Sequence, residues 1–461
     1  MEGILEKLSE IVGADFVSNA AEERFIYSRD QGVQPPHAPD YVVLPNTTEE
    51  VSALIRLANK NKIPVVPMGG ALVLSGLTIP QRGGIVLDMK RMNRILEVNE
   101  MSHYVVVEAG ASQGMLKAYL EKHHPQLKHS IPDAPPVATI GGNIAIHGSG
   151  HLSQSEGGFH SEMVTGLEVV LATGEVLKLG SCSTVPKWFS RAPLPDLVGL
   201  FLGWNGTTGV ITKIGLKLFP SPKMKDIMMF MTEDVDTVPD ILFRIIGTEM
   251  AEDMAFFVSP QPAYFDGFQI IMISVVANSV KEMKMRRELI CDSVRDYLER
   301  KEAGFLPLPP HMKVKLMEAP QKNLSEFADT VRGGGFEYVG AIMPVECIPQ
   351  AYRKGREITE QLGITYSMGA RVIGRGHAVM FYYAYPFNRA DAKNMETVAK
   401  ALEESNEAAL EMGGIPWKAE ISGQQLILGR MEPGTYKLMT EVRKLLDPNG
   451  IMNPGNWEVR S

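Results

Sequence analysis

Three glycine-rich segments are the first residues of this chain that suggest a chemistry. Gly69-Gly70-Ala71-Leu72-Val73-Leu74-Ser75-Gly76 follows a β-branched run, and Thr139-Ile140-Gly141-Gly142-Asn143 follows the bend Pro132-Asp133-Ala134-Pro135-Pro136. Gly203-Trp204-Asn205-Gly206-Thr207-Thr208-Gly209 precedes a third β-branched run. Small residues let backbone N–H groups come close to a pyrophosphate. The first loop lacks the lysine of a P-loop, and no acid on a second strand follows it as a dinucleotide-binding fold requires. By itself it is as well read as a tight strand-to-helix turn. Three such loops in one stretch imply one long ligand.

Side chains able to do acid–base work are fewer. His377 opens the apolar run His377-Ala378-Val379-Met380-Phe381. A histidine in such a run is usually a hydrogen-bonded core residue; as a base it would need a hydroxyl within reach. His147, His151 and His160 fall in a Gly/Ser-rich stretch just after Gly142-Asn143, so they could rim the same ligand. Spacings of four and nine residues in a loop define no metal geometry, and no metal is expected. Tyr383 and Tyr385 share one face of an expected strand and Tyr382 the other.

Composition limits what these residues can belong to. The 461 residues are 44% hydrophobic and 22% charged, which is the balance of a globular protein of two or three domains. Forty-six basic against 54 acidic residues give a charge of −8, which repels a phosphate backbone; nucleic acid is not an expected partner. Three scattered cysteines, Cys182, Cys291 and Cys347, cannot make a disulfide framework or ligate an iron–sulfur cluster. Any such centre would sit on another chain. The N-terminal MEGILEKLSEIVGADF has no basic-then-apolar signal pattern, and no run reaches the ~18 to 20 apolar residues of a membrane span. A cytoplasmic protein is expected, with peripheral membrane association only through a partner.

The elements that must hold these loops follow from periodicity. From Pro39 to Pro222 short β-branched runs alternate with helical stretches and glycine turns, including a helix over Thr47 to Asn61 with Val51, Leu54, Ile55 and Ala58 on one face. Pro220-Ser221-Pro222 marks a domain edge. Beyond it come methionine-rich strands (Ile227 to Met231, Ile270 to Val276, Val379 to Tyr385) and long charged helices, including one over Val280 to Arg300. The methionines read as adaptable packing. A last helix, Thr435 to Leu446, is stopped by Asp447-Pro448-Asn449-Gly450.

Taken in order, these segments resemble a known family. Pro39-Asp40-Tyr41-Val42-Val43-Leu44-Pro45 with Thr48-Glu49-Glu50-Val51, Ile63-Pro64-Val65-Val66-Pro67 and the first glycine loop are similar to the FAD-binding domain of the vanillyl-alcohol oxidase and p-cresol methylhydroxylase flavoproteins, which include the D-lactate and glycolate dehydrogenases. So are Met92 to Asn99, Val107-Glu108-Ala109-Gly110, Gly166 to Leu171 and Asp447 to Gly455. The resemblance implies an α+β fold: a two-subdomain FAD-binding domain over 1–222, completed by 416–461, and an α+β substrate cap over 223–415. It assigns the pyrophosphate to Gly69, Gly70, Ala71, Leu72, Val73 and Gly76. Thr139, Gly141, Gly142 and Asn143, with Pro132, would line the flavin and its ribityl chain. Gly209, Val210 and Ile211 would lie near the adenine, and Asn453 and Asn456 would close the site.

The closing segment resembles the phenol-oxidising branch through Gly333-Gly334-Gly335-Phe336, Arg375-Gly376-His377 and Pro416-Trp417-Lys418. That implies His377 as the base beside the substrate oxygen, with Trp417 and Lys418 at the substrate head; Lys418, with Arg371 as a second candidate, would stabilise a carboxylate or developing oxyanion. Departures shape the expectation. Met68 and Leu72 replace the Arg and Thr of many relatives, so loop contacts are expected to be mainly backbone. No His or Cys occurs in Gly69 to Gly76, so the FAD is expected to be non-covalent. Leu74 and Trp417 fall where phenol-binding tyrosines occur, Asn456 where an arginine occurs, and Lys418 to Gly423 lacks the Gly-Glu-His-Gly of D-lactate-type enzymes. The expected activity is hydride transfer from an alcohol C–H, preferably that of a 2-hydroxy acid, to flavin. The alternatives are an aryl or alkyl alcohol dehydrogenase, or an FAD-carrying electron-transfer subunit. Expected partners are a small-molecule substrate, an iron–sulfur subunit or electron-transfer flavoprotein, and further copies of the chain.

Overall fold

The computed structural model describes residues 3–73, 75–258, 267–318 and 333–458. Its first half holds two small sheets. Strands β1 (Val17–Ser18), β2 (Tyr41–Val43), β3 (Val65–Met68) and β4 (Ile85–Asp88) form a sheet ordered β1-β2-β4-β3, in which β2, β4 and β3 run parallel. The helix Thr48–Asn61 crosses between β2 and β3. Thr47 caps it by accepting the Glu50 N–H, and it buries Val51, Leu54, Ile55 and Ala58, the face its periodicity predicts. The second sheet is antiparallel. It takes in β5 (Ile95–Asn99), β6 (Tyr104–Glu108), β8 (Val164–Val170), β9 (Val176–Gly180) and β10 (Val210–Lys217), ordered β5-β6-β10-β8-β9, while β7 (Leu127–Lys128) pairs with β11 (Phe219–Pro220).

The cap is one eight-stranded antiparallel sheet of β12 (Met224–Thr232), β13 (Asp253–Val258), β14 (Gln269–Ala277), β15 (Gly304–Phe305), β16 (Gly335–Met343), β17 (Ser367–Ile373), β18 (Ala378–Phe387) and β19 (Ile415–Trp417). Their order is β15-β12-β14-β13-β17-β18-β16-β19. Helices Val238–Gly247, Val280–Ser293, Ile348–Leu362 and Ala392–Glu411 cover one face and form the largest core with it, which includes Met228, Met254, Met343 and Met368. The helix expected over Val280 to Arg300 is interrupted at Val294, which sits between Val280–Ser293 and Arg295–Glu299. The other face of β16, β17 and β18 looks towards the first half, where Phe159 packs against Ile373, Met380 and Trp417.

After the cap the chain returns. Met452 bridges Val65 in parallel, with the Val65 N–H donating to the Ile451 carbonyl and the Asn453 N–H donating to the Val65 carbonyl, so Ile451 and Met452 join the core of the first sheet. Pro416 and Trp417, expected to begin this return, lie in the edge strand of the cap sheet instead. The return therefore starts at the last cap strand, and Lys418 is the first residue beyond it.

Candidate active site

A cleft opens among the glycine loops, with Lys418, just beyond the last cap strand, on its wall. Gly69, Gly70, Ala71, Leu72 and Val73 line one side of it, and Pro132, Thr139, Gly141, Gly142 and Asn143 another. Gly209, Val210 and Ile211 close the far end. Sequence spacing alone brought none of these together; the parallel run of β3 beside β4 and the packing of the two sheets do. Gly69 and Gly141 are where the loops touch. A Cβ on Gly69 would lie 2.0 Å from Thr139 Oγ1, and one on Gly141 2.7 Å from the Ala109 carbonyl.

The first loop presents donors to the cleft. Among the described residues, the backbone N–H groups of Gly70, Ala71, Leu72 and Val73 donate no hydrogen bond to the protein. Ala71 is left-handed at φ 52°. Consecutive free amides around such a residue make an anion cradle, the environment a pyrophosphate needs. Leu74 lies outside the described residues.

Asn143 is steadied from behind. Its amide meets His160 Nδ1 at 2.9 Å, while His160 Nε2 reaches the His151 carbonyl at 3.2 Å. Burial drives the His160 imidazole down to about 4, so the ring is neutral and its one proton is on Nε2, leaving Nδ1 to accept from Asn143. Three expected cofactor residues lie behind the cleft wall rather than on it. Gly76 donates its N–H to Asp30 Oδ2 at 2.7 Å. Asn453 donates to the carbonyls of Leu77 and Asn205, and Asn456 accepts from Gln424. They set the position of the wall, because each hydrogen-bonds the loops or tail that carry it.

The charged side chains on the cleft wall are Asp133 and Lys418. Lys418 follows β19 in a left-handed conformation, φ 56°, that a lysine adopts only where its surroundings force it. Its Nζ stands 3.7 Å over the Trp417 ring, and among the described residues it has no hydrogen bond or ion pair. Burial pulls its ammonium down to about 7, with Asp133 acting the other way. Trp417 is fixed by its own Nε1–H, which donates to the His147 carbonyl at 2.8 Å.

Arg371, on β17, is buried and forks onto Asp133, with Nε at 2.8 Å and Nη2 at 3.0 Å. Its Nη1 lies 3.8 Å from Asp253. Burial alone would lower its pKa, yet the two carboxylates hold it above the ordinary value. Its fork is thus taken up within the protein, steadying Asp133 on the cleft wall. His151 completes the group, 3.9 Å from Asp133 and 3.6 Å from Asp253.

His377 is elsewhere. It follows the tight turn Gly374–Gly376, in which Arg375 is left-handed, and β18 begins only at Ala378. The residue is exposed and lines no part of the cleft. Glycines on both sides of Arg375 reverse the chain one residue before the apolar run begins, which leaves the histidine outside the strand to which its neighbours belong. The tyrosines alternate as expected: Tyr383 and Tyr385 are in the helix-covered core, and Tyr382 is on the opposite face. Sequence reasoning missed Asp133, Asp253 and Tyr338. The proline-flanked Asp133, immediately before the second glycine loop, was the available signal; Asp253 had none.

Two family models match the chain: the FAD binding domain over residues 39–180, and the C-terminal domain of FAD linked oxidases over 339–457. The chain belongs to the FAD-linked oxidases. It is an FAD-dependent oxidoreductase. Among relatives of this FAD-linked oxidase, the glycolate oxidase subunit GlcD of Bacillus subtilis (strain 168) is 27% identical over 98% of this chain and 96% of its own. A D-lactate dehydrogenase of Anaerostipes hadrus is 28% identical over 98% and 96%. The fold is that of p-cresol methylhydroxylase, with a TM-score of 0.85 at 20% identity over 99% of this chain and 96% of that one. The 4-ethylphenol oxidase of Gulosibacter chungangensis gives 0.83 at 21% identity, over 99% and 96%. No helix among the described residues is long and apolar enough to cross a membrane.

Proposed function

We propose that this flavoprotein oxidises the alcohol carbon of a 2-hydroxy acid. The observation that carries the reading is Lys418, the cationic side chain on the cleft wall, which has no hydrogen bond or ion pair among the described residues. Bound FAD supplies the hydride acceptor. The chain's residues do the rest. Lys418 holds the substrate carboxylate by a charge-assisted hydrogen bond, strengthened because the site is half-buried. Arg371 holds Asp133 in place, and Asp133, as the carboxylate on the cleft wall, accepts the hydroxyl proton. The glycolate and D-lactate relatives support the substrate class.

A dissociable FAD held by main-chain donors is proposed, the free amides of Gly70 to Val73 supporting the main-chain part of that reading. The proposed division of the chain is a flavin domain over 1–222, completed by the tail, and a cap over 223–415 extended by β19. A relative named as a subunit supports an electron acceptor on a second polypeptide. The test is anaerobic titration of the yellow holoprotein with a panel of 2-hydroxy acids and neutral benzylic alcohols. Bleaching by acids and release of FAD on acid precipitation are expected. Bleaching by neutral alcohols alone would remove the 2-hydroxy-acid reading.

A further inference from the structure

The carboxylate proposed to take the substrate's proton is poorly placed to keep it. Both oxygens of Asp133 are engaged by the Arg371 fork, at 2.8 and 3.0 Å. A proton on that carboxyl would discharge one partner of the ion pair that satisfies a buried guanidinium. His151 stands behind Asp133, lining no part of the cleft, with Nε2 3.9 Å from Asp133 Oδ1 and Nδ1 3.6 Å from Asp253 Oδ2. The imidazole thus lies between two carboxylates, one on the cleft wall and one buried in the cap.

The loop that carries His151 is docked on the cap. His151 donates its N–H to the Ile131 carbonyl at 2.8 Å, and Leu152 donates its own to Asp253 at 3.1 Å. Gly374 and Arg375 in turn donate to the carbonyls of Ser153 and Gln154. Nδ1 of His151 is buried and has no hydrogen-bond partner among the described residues. A bare Nδ1 would set its lone pair against the Asp253 carboxylate. A proton on Nδ1 makes that contact attractive and leaves Nε2 as the lone pair facing Asp133. Burial pushes the Asp253 carboxyl up, but His151, Arg371 and the Leu152 N–H outweigh it and hold it below the usual value. Asp253 is therefore the anion that a charged imidazole needs. Both separations exceed a hydrogen bond, as catalytic contacts commonly do before substrate binds.

We infer that His151 is a proton relay, taking the substrate's proton on from Asp133 at Nε2 while Asp253 holds its Nδ1–H. With bound FAD as the hydride acceptor, the alcohol O–H bond breaks as Asp133 takes the proton. The Asp133 O–H bond then breaks as the His151 Nε2–H bond forms, and Arg371 regains its counter-charge. An imidazole is ordinarily a far stronger base than an aspartate carboxylate, so this transfer runs downhill. His151 acts only through Asp133. The inference rests on Asp133 as the proposed base and adds the step that recharges it.

The experiment follows the limiting rate of anaerobic flavin reduction against pH, with whichever hydroxy acid or alcohol bleaches the holoprotein. The wild type is compared with His151→Gln, Asp253→Asn and Asp133→Asn. The groups around His151 are Asp133, Asp253, Arg371 and His160, with Lys225 and its partner Glu252 beyond Asp253. Arg371 stays charged, and His160, driven down to about 4, stays neutral above that value. The wild-type rate should decline on the acid side by about tenfold per pH unit, once His151 already carries a proton and cannot receive another. In His151→Gln that limb should move to lower pH, where only carboxylates titrate, and the limiting rate should fall roughly tenfold or more with substrate affinity little changed. Asp253→Asn removes the anion beside the imidazolium and should move the limb the same way. Retained flavin absorbance and unchanged reduction by dithionite show that each variant is folded and loaded. A wild type without an acid limb, or a limb unmoved in both His151→Gln and Asp253→Asn, overturns the relay and leaves a slow Asp133→Asn as evidence for the base alone. An Asp133→Asn protein as fast as wild type removes the base reading and the relay with it.

Discussion

The two walls of the cleft are made of different material. On the flavin side the wall is main chain: four successive amides at Gly70 to Val73 and loops pressed so close that Gly69 and Gly141 have no room for a Cβ. Elsewhere on the wall it is side chain: Lys418, just beyond the last cap strand, and Asp133, which the buried Arg371 of the cap holds in place. A main-chain wall tolerates changes of residue type as long as the path is kept, so the side chains of Met68 and Leu72 matter little to it. A side-chain wall has no such tolerance, because each group there is the function it performs.

The difference is open to breakage, beginning with its hardest point. Gly69→Val places branched carbon where Thr139 Oγ1 already lies, 2.0 Å from even the first added atom, so the variant should purify without flavin or fail to fold. Absorbance of the purified protein checks this, and Leu72→Thr, which leaves the main chain alone, should retain full FAD. Arg371→Met comes next. It leaves the buried Asp253 and the partly buried Asp133 without their cation, and should lower stability by about 3 kcal/mol in denaturant unfolding. A change below about 0.5 kcal/mol would show that the pair is solvated and its ordering of Asp133 slight.

Lys418→Met should weaken binding of a carboxylate substrate by roughly tenfold to a hundredfold and hardly alter a neutral alcohol, as loss of a charge-assisted hydrogen bond requires. Equal effects on both would place Lys418 among residues that merely pack. The same residue predicts a pH dependence. Its folded pKa is depressed to about 7, so the ammonium is intact below that value and lost as pH rises through it. Affinity for the anionic substrate should therefore fall above about pH 7, with the midpoint moved upward when substrate is present, because an anion favours the charged form. Stability should move oppositely: the unfolded lysine holds its proton to a higher pH, so the cost of burying it lifts between about pH 7 and the ordinary lysine value. The smallest effect is expected at His377→Asn. On an exposed turn this change should alter flavin reduction less than about twofold. A loss of roughly 10²- to 10⁴-fold would restore His377 as the base.

What could be read from sequence was whatever depends on local spacing. The three glycine loops, the face of the helix Thr48–Asn61, the split of Tyr382 from Tyr383 and Tyr385, and the ordered motifs of a flavoprotein family are properties of neighbouring residues. A periodicity of two or 3.6 is fixed before the chain folds. The Lys418 site was legible only through motif resemblance, and its depressed pKa, left-handed backbone and place over Trp417 were not. His377 shows the converse. Its apolar neighbours suggested a strand, but two glycines end β17 early enough to put it on a turn. Asp133 reaches Arg371 across 238 positions and Asp253 lies 118 before Arg371, so neither pairing leaves a mark in local pattern. The tertiary structure alone decided which charges meet, because the energy of a buried ion pair depends on separation and burial in space, and sequence spacing constrains neither beyond a few turns or strands.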